Sequence, residues 1–373
     1  MSLKIFEAKT STDLDRFIRL PWEIYKTYPN WVPPLVSERK NFLNPKINPF
    51  FDHAEVKFFL VEDPKNNTVG RIALVHDHIY QERYYKNTGI IGMFESIDDK
   101  NVSQMLFDEA KTWCHKNRFD KLIGPMNLSI NHECGLMVEG FDLPPMLGIS
   151  YNPNYYEKHF LEWGFNKSKD LISLKLDLTG IPKYLQDAAK KLEKRGRFSV
   201  RPLNMTRFED DLKAIWDIYN SAWDMNWGSV PMTHKEFSYA AREMKSFVDP
   251  EFCLIAEVKG EPVGFGLALP DINQVLIELD GKLFPFGWAK FLWKKNKIDT
   301  YRVLTLGIKK KYRKLGIDAY MYYDMYKNFI EKGIKWCETS WMLEDNIDIL
   351  EPIFKLGATI YKKHRIYERN LSY

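Results

Sequence analysis

Apolar and polar positions repeat one phrase twice along this chain. Residues 58–75, FFLVEDPKNNTVGRIALV, and residues 252–269, FCLIAEVKGEPVGFGLAL, share it. Each is an apolar run, a Glu (Glu62, Glu257), a polar turn, then Val-Gly and a second apolar run. Two strand-length apolar segments around turn chemistry predict a β-hairpin. A second pair, NPNYYEKHFLEWGF from Asn152 and NIDILEPIFKLGA from Asn346, predicts amphipathic helices that stop at Gly164 and Gly357 and then enter a strand. Gly70 lies 94 residues before Gly164, and Gly264 lies 93 before Gly357. Two matches in register argue for tandem copies of one α/β unit.

Between the copies, residues 183–195 are charged and helix-forming, and Gly196 ends them. The chain therefore reads as copy one over 1–180, a connecting helix within 181–197 and copy two over 198–373, opening with the strand Phe198–Leu203. Copy two predicts helices near 209–226 and 233–247, then strands 252–258, 262–269 and 301–308. Helix 316–332, strand 335–341, helix 346–355 and strand 358–369 complete it. The expected fold class is α/β, a central mixed sheet flanked by helices in each copy, and not a Rossmann repeat.

Composition narrows the class without naming it. A length of 373 residues suits two domains, and 45% hydrophobic with 28% charged residues excludes disorder, collagen and coiled coil. Cys114, Cys134, Cys253 and Cys337 are far apart and form no C-x-x-C, so reduced thiols are expected rather than a disulfide frame or a zinc site. The pair His76-x-His78 lacks further ligands in sequence, and His132-Glu133 is not H-E-x-x-H, so no metal is expected. The opening residues carry no apolar signal region and no stretch reaches 18 uninterrupted apolar residues, so a cytoplasmic location is expected.

Chemistry concentrates in RVLTLGIKKKYRKLGIDA, residues 302–319. An apolar strand ends at Ile308, a basic turn follows, and a helix begins near Gly316. The first turn of a helix has N–H groups without intrahelical acceptors and a positive dipole end, which suits a phosphate. Lys309, Lys310, Lys311, Arg313 and Lys314 add charge, and no Walker motif is present. Residues 282–314 hold 11 basic residues and one acid. A solvated face or a nucleic-acid contact could explain that patch, but no RNA-binding or helix-turn-helix pattern accompanies it, so nucleic acid is not the expected partner.

LGIKKKYRKLGI resembles the acyl-coenzyme A loop of the GNAT acyltransferase superfamily, V-x-x-x-x-[QR]-x-x-G-x-[GA]. Ile308 falls on the Val, Arg313 on the Gln/Arg and Gly316 on the first Gly. EDNIDILEPIFKLGA resembles the family's closing segment, with Asn346 and Gly357 in place. The resemblance covers copy two; copy one is matched only through the repeat. It implies that Leu306 and Ile308 offer backbone groups to pantetheine at a bulged strand. It likewise implies that Arg313, Lys314, Gly316 and Asp318 offer amides to phosphate, with acetyl-coenzyme A or a longer acyl-coenzyme A as co-substrate and no metal. Two positions depart from the pattern: Asp318 stands at the second small position, and the family's usual thiolate-protonating tyrosine is Ile353, leaving Tyr361, Tyr367 or solvent for that role.

Copy one enters its equivalent helix through Asp98 and Asp99, which would repel a pyrophosphate, so it is not expected to bind coenzyme A. Its GPMNLSINHECG instead alternates Asn127, Ser129, Asn131 and Glu133, which in an extended segment would share one face, either a strand edge or the lining of a polar site. The expected reaction is N-acyl transfer to an amine bound between the copies. Glu344 is the first candidate for a general base, followed by His132 and Glu133; a carboxylate at a helix start explains Glu344 equally well. The insertion at 279–298 interleaves Phe284, Phe286, Trp288, Phe291 and Trp293 with lysines, which fits packing against copy one, a peripheral membrane contact or the mouth of a groove for a bulky or lipid-like substrate. Two other readings stay open: a Fem-like transferase taking aminoacyl groups from transfer RNA, and a non-catalytic acyl-coenzyme A or lipid binder.

Overall fold

The computed structural model describes residues 2–371 except 85, 86 and 225. Copy one lays down β1 (Lys4–Glu7), α1 (Ser11–Ile24), α2 (Val36–Phe42), β2 (Ala54–Glu62), β3 (Thr68–Asp77), α3 (His78–Arg83) and β4 (Thr88–Ser96). Then come α4 (Lys100–Lys116), β5 (Lys121–Gly124), β6 (Leu136–Glu139), α5 (Tyr156–Glu162) and β7 (Asn166–Asp177). The connector is α6 (Lys183–Arg195), closed by Gly196 in the left-handed region as the sequence predicts. Copy two continues with β8 (Ser199–Pro202), α7 (Phe208–Ala222), α8 (His234–Met244), β9 (Cys253–Val258) and β10 (Glu261–Pro270). After α9 (Asn273–Leu276) and α10 (Gly287–Lys294) come β11 (Thr300–Ile308), α11 (Ile317–Glu331), β12 (Trp336–Leu343), α12 (Ile347–Lys355) and β13 (Thr359–Asn370).

The chain packs as two compact units that are not contiguous in sequence. Among the described residues, one holds 2–171, 273–293 and 362–371; the other holds 172–272 and 294–361. In the first unit the strand order is β1-β2-β3-β4-β5, with the end of β13 antiparallel to β5 and β6 also paired to β13. Helix α4 covers this sheet, laying Val102, Leu106, Phe107, Ala110 and Trp113 at helical spacing against Phe59, Ile72, Leu74 and Ile91.

The second unit repeats the plan with β8-β9-β10-β11-β12 and the end of β7 beside β12. Its strands show period-two burial. Leu254 and Ala256 face the core under α11, whereas Cys253 and Ile255 face α7 on the other side, so both faces of β9 are covered. The two copies match residue by residue at the hairpin: Gly70 pairs with Ser96 in one and Gly264 with Ile308 in the other. Both forms of the expected mixed α/β unit are therefore present. Residues 127–133, by contrast, are not an extended segment. They form a tight loop with an isolated bridge between Met126 and Cys134, so Asn127, Ser129, Asn131 and Glu133 do not line one face of a strand.

Candidate functional site

The second unit builds its site from two parallel strands that part company. β11 and β12 are in register from Thr300↔Trp336 to Val303↔Thr339; among the described residues the pairing goes no further, although the strands run on to Ile308 and Leu343. Leu304 is the reason on the β11 side. It is the extra residue of a bulge, because β10 pairs Leu267 with Thr305 and then Ala268 with Val303. A bulge bends its strand and increases local twist, which turns the rest of β11 away from β12. Leu306 and Ile308 lie on the diverging stretch, where they keep their pairing to Gly266 and Gly264 of β10.

At the base of this fork sits a buried ion pair that the sequence reading missed. Arg302 and Glu338 are opposite each other across β11 and β12, with Arg302 Nε 3.6 Å from Glu338 Oε1, and both side chains are sealed from solvent. Two charged residues inside otherwise apolar strands were the available signal. Cys337 lies beside them, and burial pushes its thiol up to about 12, so it is not a thiolate nucleophile at neutral pH.

Past Ile308 the chain makes a short turn at Lys310–Tyr312 and enters α11 through Gly316. Gly316 has φ 84°, and a Cβ there would stand 2.7 Å from Leu192 Cδ2 of α6, so both backbone and space require glycine. It caps α11 without a side-chain hydrogen bond. The first-turn N–H groups of Ile317, Asp318 and Ala319 therefore have no acceptor from their own helix, and the positive end of the helix is open. Lys309 is held by Asp217 at 2.7 Å, and Lys310 lies 4.0 Å from Asp224.

Arg313 makes its contacts within the loop and to its neighbours. Its N–H donates to Lys310 O, while its guanidinium donates to Ile308 O at 3.2 Å and Ala222 O at 2.8 Å. It ties the loop to the strand end and to the last turn of α7. Lys314 takes the left-handed conformation at φ 69° immediately before the helix cap. Asp318 is exposed in the first turn and acts electrostatically on Tyr322, one turn further along.

The remaining sequence candidates fall in separate places. Asn346 is the cap residue of α12, making no side-chain cap bond, and Glu344 is half-exposed in the turn between β12 and that cap. The acid in the first turn of α12 is Asp348, so Glu344 stands before the helix rather than in it. Ile353 is packed into the core, which explains its apolar identity. Tyr361 stands edge-on to Trp336 at the closed end of the fork. Tyr367 belongs to the first unit, where it is buried and donates to Glu157 Oε1 at 2.6 Å.

His132 and Glu133 also belong to the first unit. Ser129 Oγ meets His132 Nδ1 at 3.0 Å, and the His132 ring is packed edge-on by Phe42 and Phe50. Glu133 accepts from Asn127 Nδ2 at 3.0 Å and lies 3.6 Å from Arg39. Both are bound into the loop they help to shape. Glu55 stands opposite His76 across β2 and β3, and the ligand atoms of Glu55, His76 and His78 lie within 4.8 Å of one another. This third neighbour was invisible in the sequence. Glu55 and His78 are exposed and already paired at 3.7 Å, and among the described residues no second partner orients either ring as a metal ligand needs.

Comparison with known proteins supplies the lineage. The chain is 37% identical to the bacterial ceramide synthase of Caulobacter vibrioides, covering 99% of this chain and 98% of that one. It is 36% identical to protein YghO of Escherichia coli, covering 96% and 93%. The chain belongs to the family of these two proteins. Its fold is the tandem GNAT fold: a tandem GNAT protein from the clavulanic acid biosynthesis pathway superposes over 100% of this chain and 99% of its own, with a TM-score of 0.59 at 11% identity. No family model matches the chain. In this family member the parting strands, the bulge at Leu304 and the open start of α11 lie together in one unit.

Proposed function

We propose that the protein is an N-acyltransferase that moves an acyl group from acyl-coenzyme A to the amino group of a long-chain, lipid-like amine. The observation that carries this reading is the fork between β11 and β12, continued by a loop into the uncapped start of α11. The residues fit the co-substrate. Backbone groups of β11 beyond Val303 suit the amides of a pantetheine arm. The amides around Gly316 and in the first turn of α11, in the field of the neighbouring lysines, suit a pyrophosphate. Asp318 fits there because its carboxylate is in solvent on the first helical turn.

A ceramide contains an amide between a fatty acyl group and the amine of a long-chain base. The whole-length relation to a protein named as a ceramide synthase therefore supports an amine acceptor of that kind here. Bound acyl-coenzyme A supplies the reactive thioester: a C–N bond forms, the C–S bond breaks, and coenzyme A leaves as its thiol. The chain's own residues hold and orient. Amides in a site of fixed geometry polarise without reorganising, so positioning carries much of the rate. The attacking amine must be neutral, and we assign Glu344 to receive its proton, because Glu344 follows directly on the open end of β12.

Calorimetric titration with coenzyme A esters of increasing chain length, followed by turnover with a long-chain amino alcohol, tests this. Micromolar binding that strengthens with chain length, together with amide product, is expected. No binding at any chain length would overturn the reading.

A further inference from the structure

The insertion between β10 and β11 folds with its polarity reversed. In the first unit, Asp280 accepts from Trp22 Nε1 at 2.9 Å and Gly281 O accepts from Val36 N at 3.1 Å. A Cβ on Gly281, at φ 72°, would stand 2.5 Å from Trp22 Cζ2, so the base of the insertion is fitted closely to its neighbours. Asn273 adds a bond to Pro145 O at 2.8 Å. These anchors hold the base of the insertion, but they do not involve the aromatic residues for which packing against copy one was expected.

Beyond the anchors, the large apolar side chains point into solvent. Phe284 is 77% exposed, Phe286 79%, Trp288 49%, Leu292 50% and Trp293 64%. In α10 the arrangement is systematic. With successive residues turned by ~100°, Trp288, Leu292, Ala289 and Trp293 share one continuous arc. That arc is the exposed one, while Lys290, Phe291 and Lys294 on the opposite arc are half-buried. Lys290 is held down by Glu278 at 2.8 Å. An ordinary surface helix turns its apolar stripe inward. Here a helix shows that stripe to water, next to two exposed phenylalanines.

The charge around this arc has one sign. Residues 282–298 contain five lysines and no acidic residue. Lys282, Lys295 and Lys297 are exposed. Exposed aromatic and leucine side chains next to exposed lysines in one short stretch of sequence is the composition that seats a segment in the headgroup layer, where rings enter the acyl boundary and ammonium groups meet anionic lipids. A protein partner would need a matching acidic and apolar surface; an anionic bilayer offers both over any area. No helix among the described residues is long and apolar enough to cross a membrane, so the contact is a seat on one leaflet.

We infer that residues 282–297 are a membrane-docking element that seats the protein on an anionic lipid surface. The inference does not depend on the acyl-transfer reading. Co-sedimentation with vesicles of phosphatidylcholine alone and of phosphatidylcholine with phosphatidylglycerol tests it, on the full chain, beside size-exclusion chromatography and circular dichroism. Wild type should pellet with the anionic vesicles at least tenfold better than with the neutral ones. Phe284→Ser/Phe286→Ser/Trp288→Ser should lose binding to both vesicle types. Lys295→Glu/Lys297→Glu should lose the anionic preference, by roughly fivefold per lysine. Both variants should keep the circular dichroism spectrum and elution volume of wild type, which shows that they fold and keeps the outcome separate from that of the acyltransferase proposal. The idea is sunk if wild type stays in the supernatant with either vesicle, if both variants pellet like wild type, or if the aromatic variant merely converts a dimer to a monomer.

Discussion

The two copies contain the same strand pair and treat it in opposite ways. In the second unit β11 and β12 separate beyond Val303 and Thr339. In the first unit β4 and β5 are likewise parallel, among the described residues, only over Thr88–Ile90, and β4 likewise carries a bulge after its partner Arg71. There the gap is filled by the chain itself. Met126 N donates to Ile91 O at 2.8 Å, and Met93 N donates to Asn127 Oδ1 at 2.8 Å. A Cβ on Gly92 would stand 1.9 Å from Met126 O, so the filling segment lies directly on β4. The helix that follows is also closed: Asp99 caps α4 with its own carboxylate on Asn101 N, where α11 has only Gly316. Among the described residues, one duplicated framework thus leaves a backbone edge unpaired in one copy and satisfies the same edge internally in the other. A bulged parallel pair alone is not a binding site; what occupies the gap decides.

The largest expected effect tests how each copy locks its strands. Glu338→Ala leaves Arg302 buried without its carboxylate and should cost about 3–5 kcal/mol in denaturant unfolding. The first unit buries Glu95 instead, which accepts from Tyr25 at 2.8 Å, Tyr156 at 2.7 Å and Arg71 at 3.3 Å. Burial raises the Glu95 carboxyl above its ordinary range, with Arg71 and the two tyrosines pulling the other way. The sign follows: as pH rises, the unfolded chain loses this proton first, so stability declines from the ordinary glutamate range up to the raised value. Glu95→Gln should remove that slope, at a smaller cost than Glu338→Ala, because the tyrosine hydroxyls can still donate to the amide oxygen. An unchanged slope would mean that another group carries it.

Next comes ligand binding. Gly316→Trp places a side chain at a left-handed position already filled by Leu192, and coenzyme A affinity should fall by at least about a hundredfold, or ~2.7 kcal/mol. Circular dichroism should report a folded protein. Full-strength binding by this variant would move the site away from α11. Asn127→Ala, in the first unit, removes the acceptor of Met93 N and should cost about 1–3 kcal/mol. It should not create a second coenzyme A site, because Met126 still bonds Ile91 O.

Much of the framework was legible because it is written locally. The Val-Gly hairpins, the Asn-to-Gly helices and the basic turn into Gly316 are short-range patterns, and the helices and strands follow them to within a few residues. Parts that depend on distant partners were not legible. The loop at 127–133 has the alternation of a strand, but Asn127 and Glu133 spend their polar groups on β4 and on each other. Arg313 matches a phosphate-loop motif, and only the fold reveals that its guanidinium serves Ile308 and Ala222. Arg302 and Glu338 are 36 positions apart, so their pairing required strand register. Nor does any local pattern say that residues 362–371 pack with the first unit.

The smallest effect separates two reasons for which, under the proposed function, the first copy would not bind coenzyme A. Asp99→Gly replaces one good cap by another and should cost only a few tenths of a kcal/mol. Combined with Asp98→Asn, it strips both carboxylates from the start of α4 and so removes the charge that would repel a pyrophosphate. Asp98 also meets His159 at 3.5 Å, so the pair shifts the surroundings of that imidazole, which burial holds below its ordinary value. If the filled gap is what excludes coenzyme A, this double variant in a Gly316→Trp background should still bind none, because β4 offers no open edge. Recovery of binding would mean that two negative charges alone had kept the first copy empty, and the contrast between the copies would then be one of charge rather than of backbone.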